Sequence, residues 1–474
     1  MIGMVGSAQA VNLNPDGLGQ VLIYPYYTVR ANADGNAFNS LISVVNTTDK
    51  AKAVKVRFLE GKASQEVLDF NLYLSPEDVW VAAVTPTAEG AKITTPDTSC
   101  TAPMIPAGGE EFRLWQYQGD LEDQTLDRTR EGYVEIIEMA DIVNPSPTFT
   151  AVKHATYDGV WRPGNCAAVQ DDGSTPAWVN TDLTTGTGKL FGSMTLVNVN
   201  EAQDVAFEAT ALDAFNNSGH LWAASGSIFP NLSEVDPAVA VVVNGKNVYI
   251  TDWTPNPVDA VSAVLMNQTV YNEYVLHTET ASKTDWVVTF PTKSYYYDLD
   301  QITGIRYVDR LFQRNFIKGG ACDDLSIARF DREERRPTQS GDFSPRPPTG
   351  TNSLCWEANV VTFGASGTAS LLNAQNRVTL PMPYDSGWAK FTFTPPTAPA
   401  TFHTLTANTA NTKLDLSGST PVVTNPTSVV FSGLPMIGFA AQEFNNGTVQ
   451  VGGNNVWSKY TGRIAHRFSK LITP

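Results

Sequence analysis

Histidine is the side chain best suited to bind a metal or to transfer a proton near neutral pH. The chain has five histidines, and none lies within four residues of another: His154, His220, His277, His403 and His466. Zinc sites built on one element need ligands at short spacings such as HExxH or HxH, and no such spacing occurs. The sequence therefore predicts no metal site.

Motifs for nucleophilic catalysis and nucleotide binding are also missing. Residues 364–367 read Gly-Ala-Ser-Gly, which lacks the GxSxG spacing of a serine nucleophile elbow. No Walker loop and no dinucleotide-binding glycine loop occurs. We therefore predict that the chain binds no cofactor and is not an enzyme, although a triad assembled from distant residues leaves no local pattern.

Paired carboxylates are the remaining route to hydrolysis. Glu135 and Glu138 lie in residues 133–139, YVEIIEM, which read as a central strand. Residues three apart on a strand point to opposite faces, so these two make a poor catalytic pair. A hydrolase with dispersed carboxylates is the third of three functional hypotheses.

The four cysteines fall into two separated pairs, and none has the CxxC spacing of a zinc or redox site. The simplest connectivity joins Cys100 to Cys166 and Cys322 to Cys355, with all three connectivities open. Two disulfides indicate an oxidising compartment. Four free buried thiols in a cytosolic protein are the alternative.

Residues 40–84 organise the predicted fold, because they read as four consecutive strands joined by short polar turns. In residues 54–58, apolar side chains alternate with Lys55 and Arg57, which is the period of a half-buried antiparallel strand. Residues 68–74 repeat the alternation, and the polar members of both strands are predicted to face solvent. Strands about ten residues apart with turn signals between them are typical of a β-sandwich.

The rest of the chain adds local predictions. Residues 239–250 predict a hairpin around Asn-Gly, the preferred type I′ turn. Residues 257–266 predict the one short helix, with Asn256 at the N-cap and proline at its first position. Residues 445–447, Asn-Asn-Gly, predict a further turn. Long loops are predicted over residues 85–132 and 144–187.

Residues 192–215 resemble residues 40–63, which predicts a duplicated sandwich unit, with convergent strand-turn-strand composition as the alternative. We predict an all-β fold with two or more immunoglobulin-like β-sandwich domains, long loops and one short helix. The predicted segments are residues 1–10, a signal-peptide remnant; 11–187, a first sandwich domain; 188–310, a second; and 311–474, a β-rich region with a stapled loop at 322–355.

Residues 1–10 end in Ala-Gln-Ala, which resembles a signal-peptidase site although the charged start of a signal peptide is lacking. A floppy terminus is the alternative. No stretch approaches the roughly 18 apolar residues needed to span a bilayer, so no membrane span is predicted. These features predict a protein exported past the inner membrane, secreted or held at the cell surface.

Two groups of residues are candidates for a contact surface. Tyr24, Tyr26 and Tyr27 lie in the predicted strand 20–29 and can stack on a sugar, although strand tyrosines usually pack in a core. Pro25 beside them predicts a sheet edge or a bulge. The second group is the basic cluster of the stapled loop: Arg329, Arg332, Arg335 and Arg336. Neighbouring acids partly neutralise this cluster, so it reads as a solvated salt-bridged face rather than an anion site.

The formal net charge of −16 argues against nucleic acid as a partner, because binding phosphates requires surplus lysine and arginine.

Two stretches of the sequence carry a resemblance: VRFLEGKASQEVLDFNLYLSPEDVW, within residues 40–84, and TDWVVTFPTK, at residues 284–293. With these stretches the chain resembles a group of uncharacterised secreted proteins of Gram-negative bacteria. The resemblance covers about the first 300 residues. It implies export and a β-rich body, and no catalytic residues.

We therefore predict a secreted or cell-surface structural protein, a self-assembling subunit of an extracellular filament or surface layer. Its expected partners are copies of itself or other surface components. The runner-up is a carbohydrate-binding or adhesive module that uses exposed aromatic residues.

Overall fold

The structure is a computed structural model of the 474-residue chain, and it describes residues 10–117, 122–296, 311–312, 320–335, 352–393 and 402–474. Strands hold 51% of the residues and helices 8%, so the predicted all-β class is confirmed. The prediction of a single helix is wrong. The described residues contain three: α1 (Pro147–Val152), α2 (Val179–Asp182) and α3 (Pro257–Leu265).

The strands are numbered in chain order. The first sixteen are β1 (Asn12–Leu13), β2 (Val21–Thr28), β3 (Asn39–Asn46), β4 (Ala51–Glu60), β5 (Glu66–Leu74), β6 (Val79–Pro86), β7 (Ala91–Thr94), β8 (Cys100–Ala102), β9 (Glu110–Glu111), β10 (Glu131–Ile142), β11 (His154–Tyr157), β12 (Val160–Pro163), β13 (Leu183–Thr184), β14 (Leu190–Asn198), β15 (Gln203–Glu208) and β16 (Thr210–Asp213). The next ten are β17 (Val239–Asn244), β18 (Asn247–Asp252), β19 (Met266–Asn267), β20 (Thr269–Val275), β21 (Lys283–Thr289), β22 (Asp323–Asp331), β23 (Asn352–Leu354), β24 (Ala358–Phe363), β25 (Arg377–Leu380) and β26 (Ser386–Thr392). The last nine are β27 (Thr404–Ala407), β28 (Thr409–Asp415), β29 (Val422–Thr424), β30 (Val429–Ser432), β31 (Leu434–Pro435), β32 (Ile437–Val451), β33 (Asn454–Ala465), β34 (Arg467–Ser469) and β35 (Leu471–Thr473).

The first two sheets pack face to face. The first has the order β1-β16-β2-β10-β4-β5-β8 with β13 paired to β10, and the second has the order β15-β14-β3-β6-β7-β9. Alternate residues of both sheets point into one apolar core that contains Tyr24, Phe58 and Trp80. The four strands predicted over residues 40–84 are confirmed as β3 to β6. They contribute two strands to each layer.

The prediction that the charged residues of β4 face solvent is wrong. Every residue of β4 is buried, because a later loop covers its charged face. Lys55 donates to the carbonyl of Ala224 in that loop and pairs with Asp69 at 2.9 Å, while Arg57 pairs with Glu135 at 2.7 Å. The alternation predicts which residues share a face, but it does not predict that distant chain covers that face.

The segment that resembles residues 40–63 does not fold as a second copy. β14 pairs with β3 and so belongs to the second sheet. β15 forms a hairpin with β14 in the same sheet, whereas β4, which follows β3, lies in the first sheet. The shared pattern therefore reflects strand-turn-strand composition. The domain boundary predicted at residue 188 stays a prediction, and the hydrogen bonds of the second sheet cross it.

Two further sheets pack through a second core. Their orders are β25-β24-β21-β32-β33 for the third, with β24 and β25 parallel, and β23-β22-β26-β20-β34 for the fourth. Trp286 of β21 contacts Phe391 of β26, with ring centroids 4.7 Å apart. The next residue, Val287, points to the opposite side and joins the core of the first two sheets. The third sheet is therefore shared between both cores.

A smaller unit packs around α3. It contains the sheets β17-β18-β28-β29 and β27-β30-β35, and Trp253 contacts Phe431 between them at 5.6 Å. The predicted helix over residues 257–266 is confirmed as α3, which ends one residue early because Met266 begins β19. The pairs β11–β12 and β19–β31 complete the described strands.

α1, α2 and the β11–β12 hairpin all lie in a segment predicted as a loop. The sequence does signal the start of α1, because Pro147 occupies its first turn and the side chain of Ser146 accepts a hydrogen bond from the N–H of Phe149. Six residues are too few to show a helical period, so only the cap was available to predict it.

The structure agrees only in part with the predictions made for Pro25 and for the turns at residues 239–250 and 445–447. Pro25 lies at a bulge, because β2 runs between two strands and its register with β10 shifts there. The hairpin over residues 239–250 is confirmed as β17–β18, but its loop is Gly245-Lys246, with Gly245 at φ 61° as the first residue of a type II′ turn requires. Residues 445–447 form a bulge instead of a turn; the chain reverses at Gly452-Gly453.

Candidate functional site

β32 and β33 form a long hairpin whose far end extends beyond the body. We call residues 446–458 the β-arm. Its strands pair in register from Thr448 opposite Trp457 to Val451 opposite Asn454, and Gly452 and Gly453 both take positive φ at the tip, as a type I′ turn requires. Nearly all of its residues are exposed. The arm is a two-stranded ribbon with solvent on both faces.

The composition of the β-arm is unusual for an exposed edge. It contains no charged residue and no proline in a chain with net charge −16. Exposed edges normally carry charges or proline, which prevent pairing with other strands. Val449 and Val456, directly opposed, are 47% and 45% exposed, and Trp457 beside them is also exposed. In the part of the chain that the structure describes, no third strand pairs with either edge of the arm.

The base of the β-arm is fixed to the body by charged and polar contacts. Lys459 pairs with Glu201 at 3.3 Å and with Glu443 at 3.6 Å. Hydrogen bonds from Asn36, together with Lys459, hold the pKa of Glu201 below its usual value. The N–H of Asn445 donates to the carbonyl of Thr280 at 2.7 Å. These contacts stop where the bulge begins, so the arm projects from an anchored base.

A second apolar surface lies on the outer face of the second sheet. Three cross-strand neighbours lie in one row on β14, β3 and β6: Phe191, Val45 and Val79. Val81 lies two residues after Val79 on β6 and therefore points to the same face. Phe191, Val79 and Val81 are exposed, with Leu41 further along β3. Adjacent strands therefore present a flat, largely uncharged face. We call these four exposed residues the outer face.

A cleft of about 480 Å³ lies beside β5, between it and three loop segments. Trp115 stands at its rim with 71% of its surface exposed, and the guanidinium of Arg113 stacks on its ring at 4.4 Å. Asp69, Asp171 and other carboxylates line the cleft. An exposed indole beside hydrogen-bond acceptors is an arrangement that suits a sugar ring. The sequence reasoning missed Trp115 because it lies in a segment with no strand pattern.

The tyrosines predicted as a contact surface are core residues, so that prediction is wrong. Tyr24, Tyr26 and Tyr27 are fully buried, because β2 is covered on both faces. Tyr24 donates to the carbonyl of Ser43 at 2.7 Å, and Tyr26 donates to the carboxylate of Glu131 at 2.8 Å. Burial raises the pKa of all three hydroxyls.

Only part of the basic cluster predicted in the stapled loop lies at the protein surface. Arg329 lies half-buried in β22, where burial lowers the pKa of its guanidinium, so the stapled segment begins with a strand and not with a loop. Arg332 is exposed, and Arg335 pairs with Asp331. Arg336 lies outside the described residues. Among the described arginines of this cluster, Arg335 alone forms ion pairs, with Asp331 and Glu333, so the expected salt-bridged face is present only in part.

The structure pairs Cys100 with Cys166 and Cys322 with Cys355, the simplest of the three connectivities. Among the described residues, no group of three or more metal-binding side chains is placed to hold an ion. Over the same residues, no helix combines the length and the apolarity that crossing a bilayer requires. No protein-family model, no curated protein and no solved structure matches the chain.

Proposed function

We propose that this protein is a secreted or cell-surface structural protein whose copies assemble into an extracellular filament or surface layer. The observation that carries the proposal is the β-arm, an anchored, uncharged ribbon with neither edge paired to another of the described strands. An isolated two-stranded ribbon is marginally stable in water and gains stability when a third strand joins it. The occupant that we propose is a strand edge of a second copy.

Charge supports a second copy as the partner. Copies with net charge −16 repel one another, so contact is favoured only where a surface lacks charge. The β-arm is such a surface, and backbone hydrogen bonds along a strand edge provide affinity without charged side chains. The outer face supplies a second uncharged surface. Two separate contacts per subunit are what open-ended growth needs.

Export and immunoglobulin-like packing belong to the same proposal. Two disulfides support an oxidising compartment, because the cytosol keeps thiols reduced. Two pairs of packed, mainly antiparallel sheets support a sandwich fold of the immunoglobulin-like kind. Both features are common in proteins that function outside the cell.

Sedimentation velocity over a range of concentrations, with negative-stain microscopy, tests the proposal. We expect the native chain to form oligomers or filaments as its concentration rises. The double variant Val449→Lys/Val456→Glu should remain monomeric, because it charges both edges while the directly opposed pair keeps the ribbon intact. Val160→Lys, at an exposed valine in another hairpin, is the matched control and should assemble normally. A native chain that stays monomeric at every concentration would refute the proposal.

The second candidate function is binding of carbohydrate in the cleft at Trp115. The observation that favours it is the exposed indole beside a row of carboxylates. A sugar ring stacks its apolar face on the indole while its hydroxyls donate to the acids. Binding of this kind is compatible with assembly, because the residues of the cleft and those of the β-arm do not overlap.

A further inference from the structure

Lys293 and Asp323 form a fully buried pair. Lys293 opens the short 3-10 helix Lys293–Tyr296, and Asp323 opens β22. The ammonium nitrogen lies 3.0 Å from Oδ2 of Asp323, and both side chains are inaccessible to solvent. Lys293 also donates to the carbonyl of Ala321. The amine of one side chain therefore touches the carboxyl group of the other in a dry part of the core.

Among the described residues, aromatic rings lie beside the lysine of this pair and an imidazole lies beside its carboxyl group. The rings of Phe290 and Phe312 both lie 5.4 Å from the lysine nitrogen. On the far side of the carboxyl group, Nε2 of His403 lies 3.1 Å from Oδ1 of Asp323. The backbone of His403 is fixed as well, because its N–H donates to Leu311. Nucleophile, carboxyl group and imidazole are thus held in contact.

We propose that Lys293 and Asp323 are joined by an intramolecular amide bond that forms spontaneously in the folded chain. A proton passes from the ammonium to the carboxylate, which gives the neutral amine and the neutral acid. The nitrogen then attacks Cγ, a C–N bond forms, one C–O bond breaks, and the oxygen leaves as water. His403 stabilises the negative charge that develops on Oδ1, which becomes the amide oxygen, and the nitrogen passes its second proton directly to Oδ2, which departs. No oxidant or other reactant is consumed.

Two physical arguments favour this reaction. Burying an ammonium and a carboxylate away from water carries a large free-energy penalty, and the amide removes both charges. Reactants fixed in contact have very high effective concentrations, of the order of 10⁵ M or more, which offsets the unfavourable condensation in bulk water. The core excludes the water that would reverse it.

The other buried lysines lack this arrangement. Lys52 lies between two carboxylates, Glu138 and Asp141, and Lys55 pairs with Asp69, which reaches the cleft. Within the described ranges, no imidazole contacts any of these three acids. They are therefore ion pairs, and they provide internal controls.

Mass spectrometry of the whole chain, denatured and with both disulfides reduced, tests the proposal. We expect a mass lower than that of the sequence by one water molecule. Protease digestion should release a branched peptide in which Lys293 is joined to Asp323. A chain of full mass would overturn the proposal and show the pair to be an ion pair only.

Variants make the assignment specific. Lys293→Arg keeps the positive charge but cannot form the amide, so its chain should have full mass. Lys52→Arg changes another buried lysine, and its chain should still lack one water. His403→Asn suits the positive φ of 56° at this position and should leave a mixture of joined and unjoined chains. A water loss that persists in Lys293→Arg would place the bond elsewhere and refute the proposal.

Discussion

The ammonium of Lys52 lies 2.7 Å from a carboxylate oxygen of Asp141, and the two residues are directly opposed on β4 and β10. Both side chains are buried, and the same ammonium also contacts Glu138. Lys50 reaches the second oxygen of Asp141 from the surface at 2.9 Å. Burial opposes ionisation of Asp141, but the two lysines hold its pKa below the usual value.

Lys52→Met should lower the free energy of unfolding by about 3–5 kcal/mol, because it leaves buried Glu138 without its counter-ion and Asp141 with only the half-exposed Lys50. Lys50→Met removes a half-exposed partner of the same Asp141, and should change stability by less than about 1 kcal/mol. Urea unfolding of both variants measures the difference. Equal losses would show that burial of the pair does not govern its contribution.

Two glutamates give a specific pH dependence. Burial raises the pKa of Glu135 and of Glu138 from 4.5 to about 7, against the effect of Arg57 and Lys52. Between these values the folded chain holds protons that the unfolded chain has released, so stability falls as pH rises through this window. Each group contributes at most about 3 kcal/mol of this change.

Urea midpoints at pH 5 and pH 7.5 for native chain and Glu135→Gln measure the effect, since the amide cannot titrate and should flatten the profile. His466 acts in the opposite direction over an overlapping pH range. Burial lowers its pKa to about 4, so it destabilises the fold as pH falls from its ordinary 6.5. A steeper pH profile in Glu135→Gln than in the native chain would contradict the assignment.

Substitutions of Tyr24 distinguish packing in the core from contact with a ligand or partner. Tyr24→Phe removes only the hydrogen bond to Ser43 and should reduce stability by about 1 kcal/mol. Tyr24→Ala empties the core position and should reduce it by about 3–5 kcal/mol. Neither change should alter assembly or glycan binding of the folded protein. Thermal unfolding and a binding assay together measure this, and reduced glycan binding by folded Tyr24→Phe would restore the contact role.

Trp115 carries the second candidate function. Trp115→Ala should abolish binding to any glycan that the native chain retains on an array, with stability changed by less than about 0.5 kcal/mol because the ring is exposed. Trp161→Ala removes another exposed tryptophan away from the cleft and should bind normally. A native chain that retains no glycan would remove this candidate.

Strands were predictable from the sequence where a single short segment contains both the alternating pattern and the turn residues that bound it. β3 to β6 follow from alternation and turn residues that lie within 50 residues of one another. The burial of Lys55 was not predictable, because the loop that covers it lies about 170 residues away along the chain. Local patterns report the two faces of a strand and do not report what packs on each.

The candidate site was less predictable for a related reason. Asn-Gly at residues 446–447 has the composition of a turn, yet positive φ at Gly447 serves equally for a bulge. The choice depends on Gly452-Gly453 five residues later, where two glycines make a tighter reversal. The Tyr24 to Tyr27 segment failed as a surface because it lies inside the first sheet, complete only at residue 213, and under the second sheet, complete only at residue 208.

The order in which strands are paired has a kinetic consequence. β1 pairs with β16, Thr289 donates to the carbonyl of Pro25, and Thr461 bonds to the backbone of Asp204. Contacts between residues hundreds of positions apart make β proteins slow to fold, since large loops must close before native contacts stabilise them. The first two strands, β1 and β2, therefore stay unpaired until β10 and β16 have been synthesised, and the contacts that fasten the body to β33 form only when nearly the last residues arrive.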